Sequence, residues 1–207
     1  MPFVKRGPTP RAPSHEPDRD RASQIAALRS SDADTRWRAA RALAGTPEAV
    51  AALAAALAGE AVPRVREAIM TALMRTGDEA SVQALLPCLR SEDAGQRSAA
   101  IEALQALPEA IGPFLTVLLT DPDSDVRLLA TELARNMPAA QATELLCALI
   151  EREPHPNVCA AAIEVLAEVG TRDAVPALRR CADRFAGTAF LPFAATVAIG
   201  RISGTES

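Results

Sequence analysis

Four cysteines, two histidines and a set of regularly spaced glutamates are the side chains here that could carry chemistry, and their spacing argues against most of it. Cys88, Cys147, Cys159 and Cys181 lie 59, 12 and 22 residues apart, with no CxxC pair and no neighbouring histidine. Zinc sites and disulfide frameworks need tighter or patterned spacing, so the cysteines read as core thiols, with no metal or other cofactor expected. His15 precedes Glu16, and His155 is followed by Pro156. Glu102, Glu132 and Glu164 recur at near-constant intervals, yet none has a histidine, a lysine nucleophile or a metal cluster beside it in sequence. General acid–base catalysis is not indicated, and no catalytic residue is assigned. A row of carboxylates can be a solvated face, since Glu is a good helix former, or a docking strip for a basic segment.

The elements that must position these residues follow from a repeated phrase of about 31 residues. It is clearest in Val65-Arg66-Glu67-Ala68-Ile69-Met70-Thr71-Ala72-Leu73 and Val126-Arg127-Leu128-Leu129-Ala130-Thr131-Glu132-Leu133-Ala134. Weaker copies begin at Thr35, Gln96, Val158 and Leu191, giving offsets of 30, 31, 30, 32 and 33 residues. Such periods mark stacked helical repeats, each a helix pair unable to bury its apolar face alone. First helices carry apolar residues at offsets 0, 3 and 7, as in Val50, Leu53 and Leu57 or Ile111, Phe114 and Leu118. Second helices carry a small or branched residue at offset 4, namely Ala39, Ile69, Ala100, Ala130, Ala162 and Ala195, which lets neighbouring helices approach. Pro47, Pro108 and Pro138 fit helix starts, Gly77 and Gly170 fit helix ends, and Asp32, Asp93 and Asp123 fit N-caps. The first pair keeps Ile25 and Leu28 but has Arg21 and Gln24 at the other apolar positions, as an end cap requires. Low aromatic content (3%) and abundant Ala and Leu agree with an all-α chain.

The run Asp121-Pro122-Asp123-Ser124-Asp125-Val126-Arg127, followed by Ala130, resembles the HEAT repeat, in the short bacterial form also found in phycobilin lyases. The resemblance covers residues 18–204 and implies a right-handed α-solenoid of six helix pairs. It also implies that an arginine after the branched residue links successive repeats, a position held here by Arg36, Arg66, Arg97 and Arg127. Such a guanidinium can bridge to carboxylates such as Asp32, Asp93 or Asp123 and to helix-end carbonyls. Cys159 and Pro192 replace it in the last two copies, where stacking is expected to rely on apolar contact.

In HEAT-like arrays the second helices line the concave surface. Offsets 2, 6 and 9 of those helices then form rows inside the curve, including Trp37, Arg41, Met74, Glu102, Gln105, Leu128, Glu132, Arg135 and Glu164. Trp37, the single tryptophan, stands between Arg36 and Arg38, either as a hot spot for a partner protein or as a cover for the first repeat. From Phe185 to Gly200 no residue is charged, so Phe190, Phe193 and Val197 are candidates for an exposed interface, self-association being its simplest form. The alternative is burial of this segment over the last repeat. Some HEAT-like proteins are enzymes. Deoxyhypusine hydroxylases bind iron through repeated His-Glu pairs, of which this chain has only His15-Glu16, and alkylpurine glycosylases use a basic concave surface.

The formal charge is −4, and residues 1–17 hold Lys5, Arg6 and Arg11 against Glu16, so the rest carries −4 − 2 = −6. An acidic body disfavours nucleic acid. No apolar run approaches a membrane span, and the N-terminus has no apolar signal core, so the cytoplasm is the expected location. Residues 1–17, with prolines at 2, 8, 10, 13 and 17, are expected to be disordered. They read as a flexible leader or as a segment docking through Phe3, Val4, Lys5 and Arg6. The function expected is a non-enzymatic adaptor or scaffold for a protein partner. The lyase resemblance implies the alternative, an assistant that attaches or inserts a cofactor in a client protein.

Overall fold

The computed structural model describes residues 16–188 and 190–204; the expectations for residues 1–15 lie outside them. The described residues form α-helices with four short 3-10 turns and no strand. The helices pair as α1 (Glu16–Ala27) with α2 (Ala33–Ala42), α3 (Val50–Gly59) with α4 (Pro63–Thr76), and α5 (Glu79–Leu85) with α6 (Ala94–Gln105). The remaining pairs are α7 (Pro108–Leu118) with α8 (Ser124–Leu133), α9 (Ala139–Arg152) with α10 (Pro156–Val169), and α11 (Val175–Arg184) with α12 (Phe190–Ser203). This is the α-solenoid expected from the repeated phrase.

Local chemistry sets the ends of these helices. Asp32, Asp93 and Asp123 are N-caps that accept backbone N–H bonds from Thr35, Gly95 and Asp125, each at 2.9 Å. Asp78 caps α5 in the same way, accepting from Ser81 at 2.8 Å. Pro63, Pro108 and Pro156 open α4, α7 and α10, where the missing N–H costs nothing. Pro47 instead lies in the 3-10 turn before α3, and Pro138 is the residue preceding α9. Gly77 closes α4 at φ 68°, and a Cβ there would lie 3.1 Å from Leu107 Cδ2.

The core runs between the two helix layers along the whole array. Ala39, Ile69, Ala100, Ala130, Ala162 and Ala195 are all fully buried, as the close approach of second helices requires. Leu53, Leu85 and Ile111 fill the space between layers from the first helices, each side chain stabilising the fold by about 1.5–3 kcal/mol. In α9 the expected Ala142 and Leu149 are buried, but Leu146 rather than Leu145 fills the position between them, leaving Leu145 half-exposed.

The layers are not packed alike. Second helices touch in an unbroken series from α2 through α12, whereas α1 with α3 and α7 with α9 meet at most marginally. The second-helix layer is thus the more continuously packed of the two. Pro113 lies inside α7, which stays a single helix, and a groove of about 610 Å³ opens between Gly112, Pro113, Pro138 and Gln141. Among the described residues no helix is long and apolar enough to cross a membrane, and no cluster of three metal-ligating side chains occurs.

Candidate protein-docking surface

The arginine row is a ladder in which Arg36, Arg66 and Arg127 join one repeat to the next, while Arg97 bonds only within its own turn. Arg36 grips Glu60 with both Nε (2.7 Å) and Nη2 (2.8 Å) while donating through Nη1 to the Ser30 and Ser31 carbonyls of its own turn. Arg127 repeats this arrangement on Glu153 (2.7 and 2.9 Å) and on the Asp121 and Pro122 carbonyls. Arg66 reaches Asp93 at 2.6 Å, and Arg97 holds the Ser91 carbonyl of its own turn at 2.6 Å. Asp121, which stands where Glu60 and Glu153 stand in their repeats, is taken by Arg90 instead.

Of the expected acceptors, only Asp93 takes a ladder arginine. Asp32 is occupied as a cap, and Asp123 lies 3.7 Å from Arg90 rather than beside a ladder residue. The true acceptors, Glu60 and Glu153, sit six residues ahead of the next ladder position, a spacing legible in the sequence. Bidentate geometry and low exposure set their electrostatics. The Arg36 hydrogen bonds hold the Glu60 carboxyl below its ordinary range against the opposing effect of burial. Burial alone would raise Glu153, which is 2% exposed, but the Arg127 bonds and the His155 N–H outweigh it and leave it lowered.

The expectation that the last repeats stack by apolar contact is corrected by Arg184. Where Cys159 replaces the fifth arginine, Arg184 approaches from the far side, at the end of α11, and donates to the Ile150, Glu151 and Glu153 carbonyls. Its Nη2 also lies 3.7 Å from Cys159 Sγ. The fifth rung is therefore supplied by the following repeat. A thiol leaves the room that a sixth-repeat guanidinium needs, and Arg184 was not legible because it comes from the wrong helix.

The rows expected to face a partner are mostly half-buried, with Arg41, Glu102 and Glu164 exposed. Trp37 is half-buried against the core of the first repeats, with the Arg41 guanidinium 4.6 Å from its ring centre. Gln105 donates to the Glu132 carbonyl at 3.0 Å, so it joins two repeats. The acidic stripe is broken in its middle. Glu132 is held by Arg135 at 3.0 Å, and Arg135 also pairs with Glu168. Glu102 and Glu164 are exposed and have no polar partner among the described residues.

At the C-terminal end, Phe190 is 47% exposed, Phe193 72% and Val197 38%, at helical spacing along one face of α12. The segment does not bury itself over the last repeat, although Phe185 does pack on the core. Phe193 continues the offset-2 row of Leu128 and Ala160. Leu128 and Phe190 line one groove of about 320 Å³ with His155 and Val158.

Known proteins agree with this architecture. The crystal structure of the archaeal HEAT-like repeats protein from Thermococcus onnurineus NA1 is 16% identical, with 92% of this chain and 89% of that one covered at a TM-score of 0.52. The complex of CpcE and CpcF of phycocyanin lyase from Nostoc sp. PCC7120 is 26% identical, with 86% and 74% covered at a TM-score of 0.47. No curated protein is significantly similar in sequence. The HEAT repeats family matches residues 23–105 and 112–186, leaving out only residues 106–111 at the start of α7 between its two segments. With its helix pairs and its arginine ladder in place over that span, the chain belongs to the HEAT repeat family.

Proposed function

We propose that this chain is a non-enzymatic adaptor that holds a protein partner along its concave face, with the apolar face of α12 as the main anchor. The observation that carries this reading is the exposure of Phe190, Phe193 and Val197 on one helix face, next to the groove that Leu128 and Phe190 share. Large exposed aromatics in a row are the residues from which hot spots are built. Trp37 with Arg41 supplies a second anchor at the opposite end of the array. Between them the half-buried Met74, Gln105, Glu132 and Arg135, flanked by exposed Glu102 and Glu164, give a polar, shape-bearing floor.

The test compares proteins recovered from host lysate by the parent chain with those recovered by F193S/V197S, and by W37A and L128A alone and together. Recovered partners are then purified and titrated. F193S/V197S is expected to weaken binding at least 10-fold, as loss of an interface hot spot does. Equal affinity for all variants with unchanged helicity places the binding surface elsewhere.

A further inference from the structure

The groove between α4 and α6 is lined in part by the ladder pair Arg66 and Asp93 and by the core residues Met70 and Ala103, but also by side chains that neither the ladder nor the core accounts for. It encloses about 560 Å³, with half-buried Met74 on one wall, half-buried Ala99 on the other, and Glu67 and Glu102 among its lining residues. Both glutamates are exposed and neither has a polar partner among the described residues, unlike the ladder acids Glu60, Asp93 and Glu153. Methionine walls adapt to irregular apolar groups, and unpaired carboxylates beside them attract a cation carried on an apolar stem.

The chain itself carries a segment of that chemistry. Phe3-Val4-Lys5-Arg6 joins two large apolar residues to two cations, and residues 1–15 contain no acidic residue at all. Reach allows the match. From Lys5 to Glu16 is 16 − 5 = 11 residues, or about 36 Å when extended. Helix axes in contact lie about 8–10 Å apart, so the steps α1 to α2, α4 and α6 amount to about 30 Å. Glu164 on α10 is two further steps along, beyond that reach. We infer that the N-terminal segment Phe3–Arg6 docks in the α4–α6 groove of its own chain, its cations on Glu67 and Glu102 and its apolar side chains on Met74 and Ala99. This goes beyond the adaptor reading and does not require it: the segment covers Met74 and Glu102 of the concave floor, so a partner on that floor displaces it, while the α12 face stays open either way.

Lys5 is the only lysine in the chain, which makes the contact directly readable. Zero-length carbodiimide coupling of the full chain, with mass-spectrometric mapping, is expected to join Lys5 mainly to Glu67 or Glu102, and to do so less at 0.5 M salt. A mixture of ¹⁵N-labelled and unlabelled protein separates coupling within a chain from coupling between chains. Coupling chiefly to Asp18 and Asp20, scattered coupling, or coupling between chains overturns the proposal, the last by making a second copy the occupant. Trypsin cleavage after Arg11 provides an independent readout. The cut is expected to be about 3-fold or more faster in E67Q/E102Q and in K5Q/R6Q than in the parent. Equal rates in all three overturn the proposal as well. Because both glutamates are exposed and Lys5 and Arg6 precede the helices, unchanged circular dichroism is expected throughout. The affinity of purified partners for F193S/V197S reads the adaptor function separately.

Discussion

Cys147 is the one cysteine that is only half-buried, while Cys88, Cys159 and Cys181 are closed off in the core. Burial, reinforced by the Glu151 charge, pushes its thiol up to about 11. A free thiol with pKa about 8.5 is roughly one-quarter ionised at pH 8, and one at about 11 roughly a thousandth. Alkylation of Cys147 by iodoacetamide is therefore expected to run about 200-fold slower than that of a free thiol at pH 8, and to rise about 10-fold per pH unit up to pH 10. Peptide mapping of alkylation at several pH values checks this. Fast labelling at pH 8 would mean that α9 opens locally. The cysteine spacing gave the reading of core thiols for three of the four, but the half-exposure of Cys147 was not legible. Cys147, like Leu145, lies at the edge of the buried face of α9 that Ala142, Thr143, Leu146, Leu149 and Ile150 make.

At the scale of the elements, the ladder decides how repeats are joined. Glu153 is 2% exposed and its compensating charge is Arg127, so R127A leaves a buried carboxylate without its partner. Removing one member of such a pair costs about 3–5 kcal/mol, whereas replacing both with apolar residues of similar volume is often close to neutral. R127A is accordingly expected to lose that much in urea unfolding, and R127M/E153L to recover at least half of it. If the double variant is as unstable as R127A, the loss comes from the Asp121 and Pro122 carbonyls of Arg127's own turn rather than from the joint to Glu153. Arg184 gives a parallel case in the fifth rung. It satisfies three carbonyls, so R184A is expected to cost about 2 kcal/mol, read by the same unfolding measurement. The four ladder arginines stood out in the sequence because they recur in one register. Arg184 did not, because a periodic pattern reveals only residues that obey the period, and this rung is filled from outside it.

For the whole molecule, the repeat period made the solenoid legible, since six copies of one phrase leave little else for the chain to form. The docking surface was legible only in part. Phe190, Phe193 and Val197 betrayed themselves by the absence of charge around them, but the breaking of the acidic stripe at Glu132 depends on Arg135 and Glu168, which belong to different repeats. Those inter-repeat pairs have a shared consequence for the stability of the array. Glu60, Glu153, Glu151 and Glu168 all have carboxyl pKa values lowered in the folded chain, chiefly by arginine partners, with burial opposing. In the unfolded chain they return to about 4.3. A carboxyl whose folded pKa is depressed stabilises the fold fully above its unfolded value, and that contribution is lost as pH falls through the folded value. Stability is thus expected to be flat from about pH 7 to 5, then to decline below about 4.3 as the unfolded chain takes up protons first. The joints carrying these pairs act between nearest neighbours, so acid is expected to loosen the array joint by joint rather than in one step. Hydrogen exchange at pH 3.5 should then show earlier loss of protection around Glu153 and Glu60 than inside α6, whose ladder arginine holds a neutral carbonyl. In E153Q, which removes one titrating group, the slope of unfolding free energy against pH between 4.3 and 3 should be shallower than in the parent. An unchanged slope would place the acid sensitivity at other carboxylates.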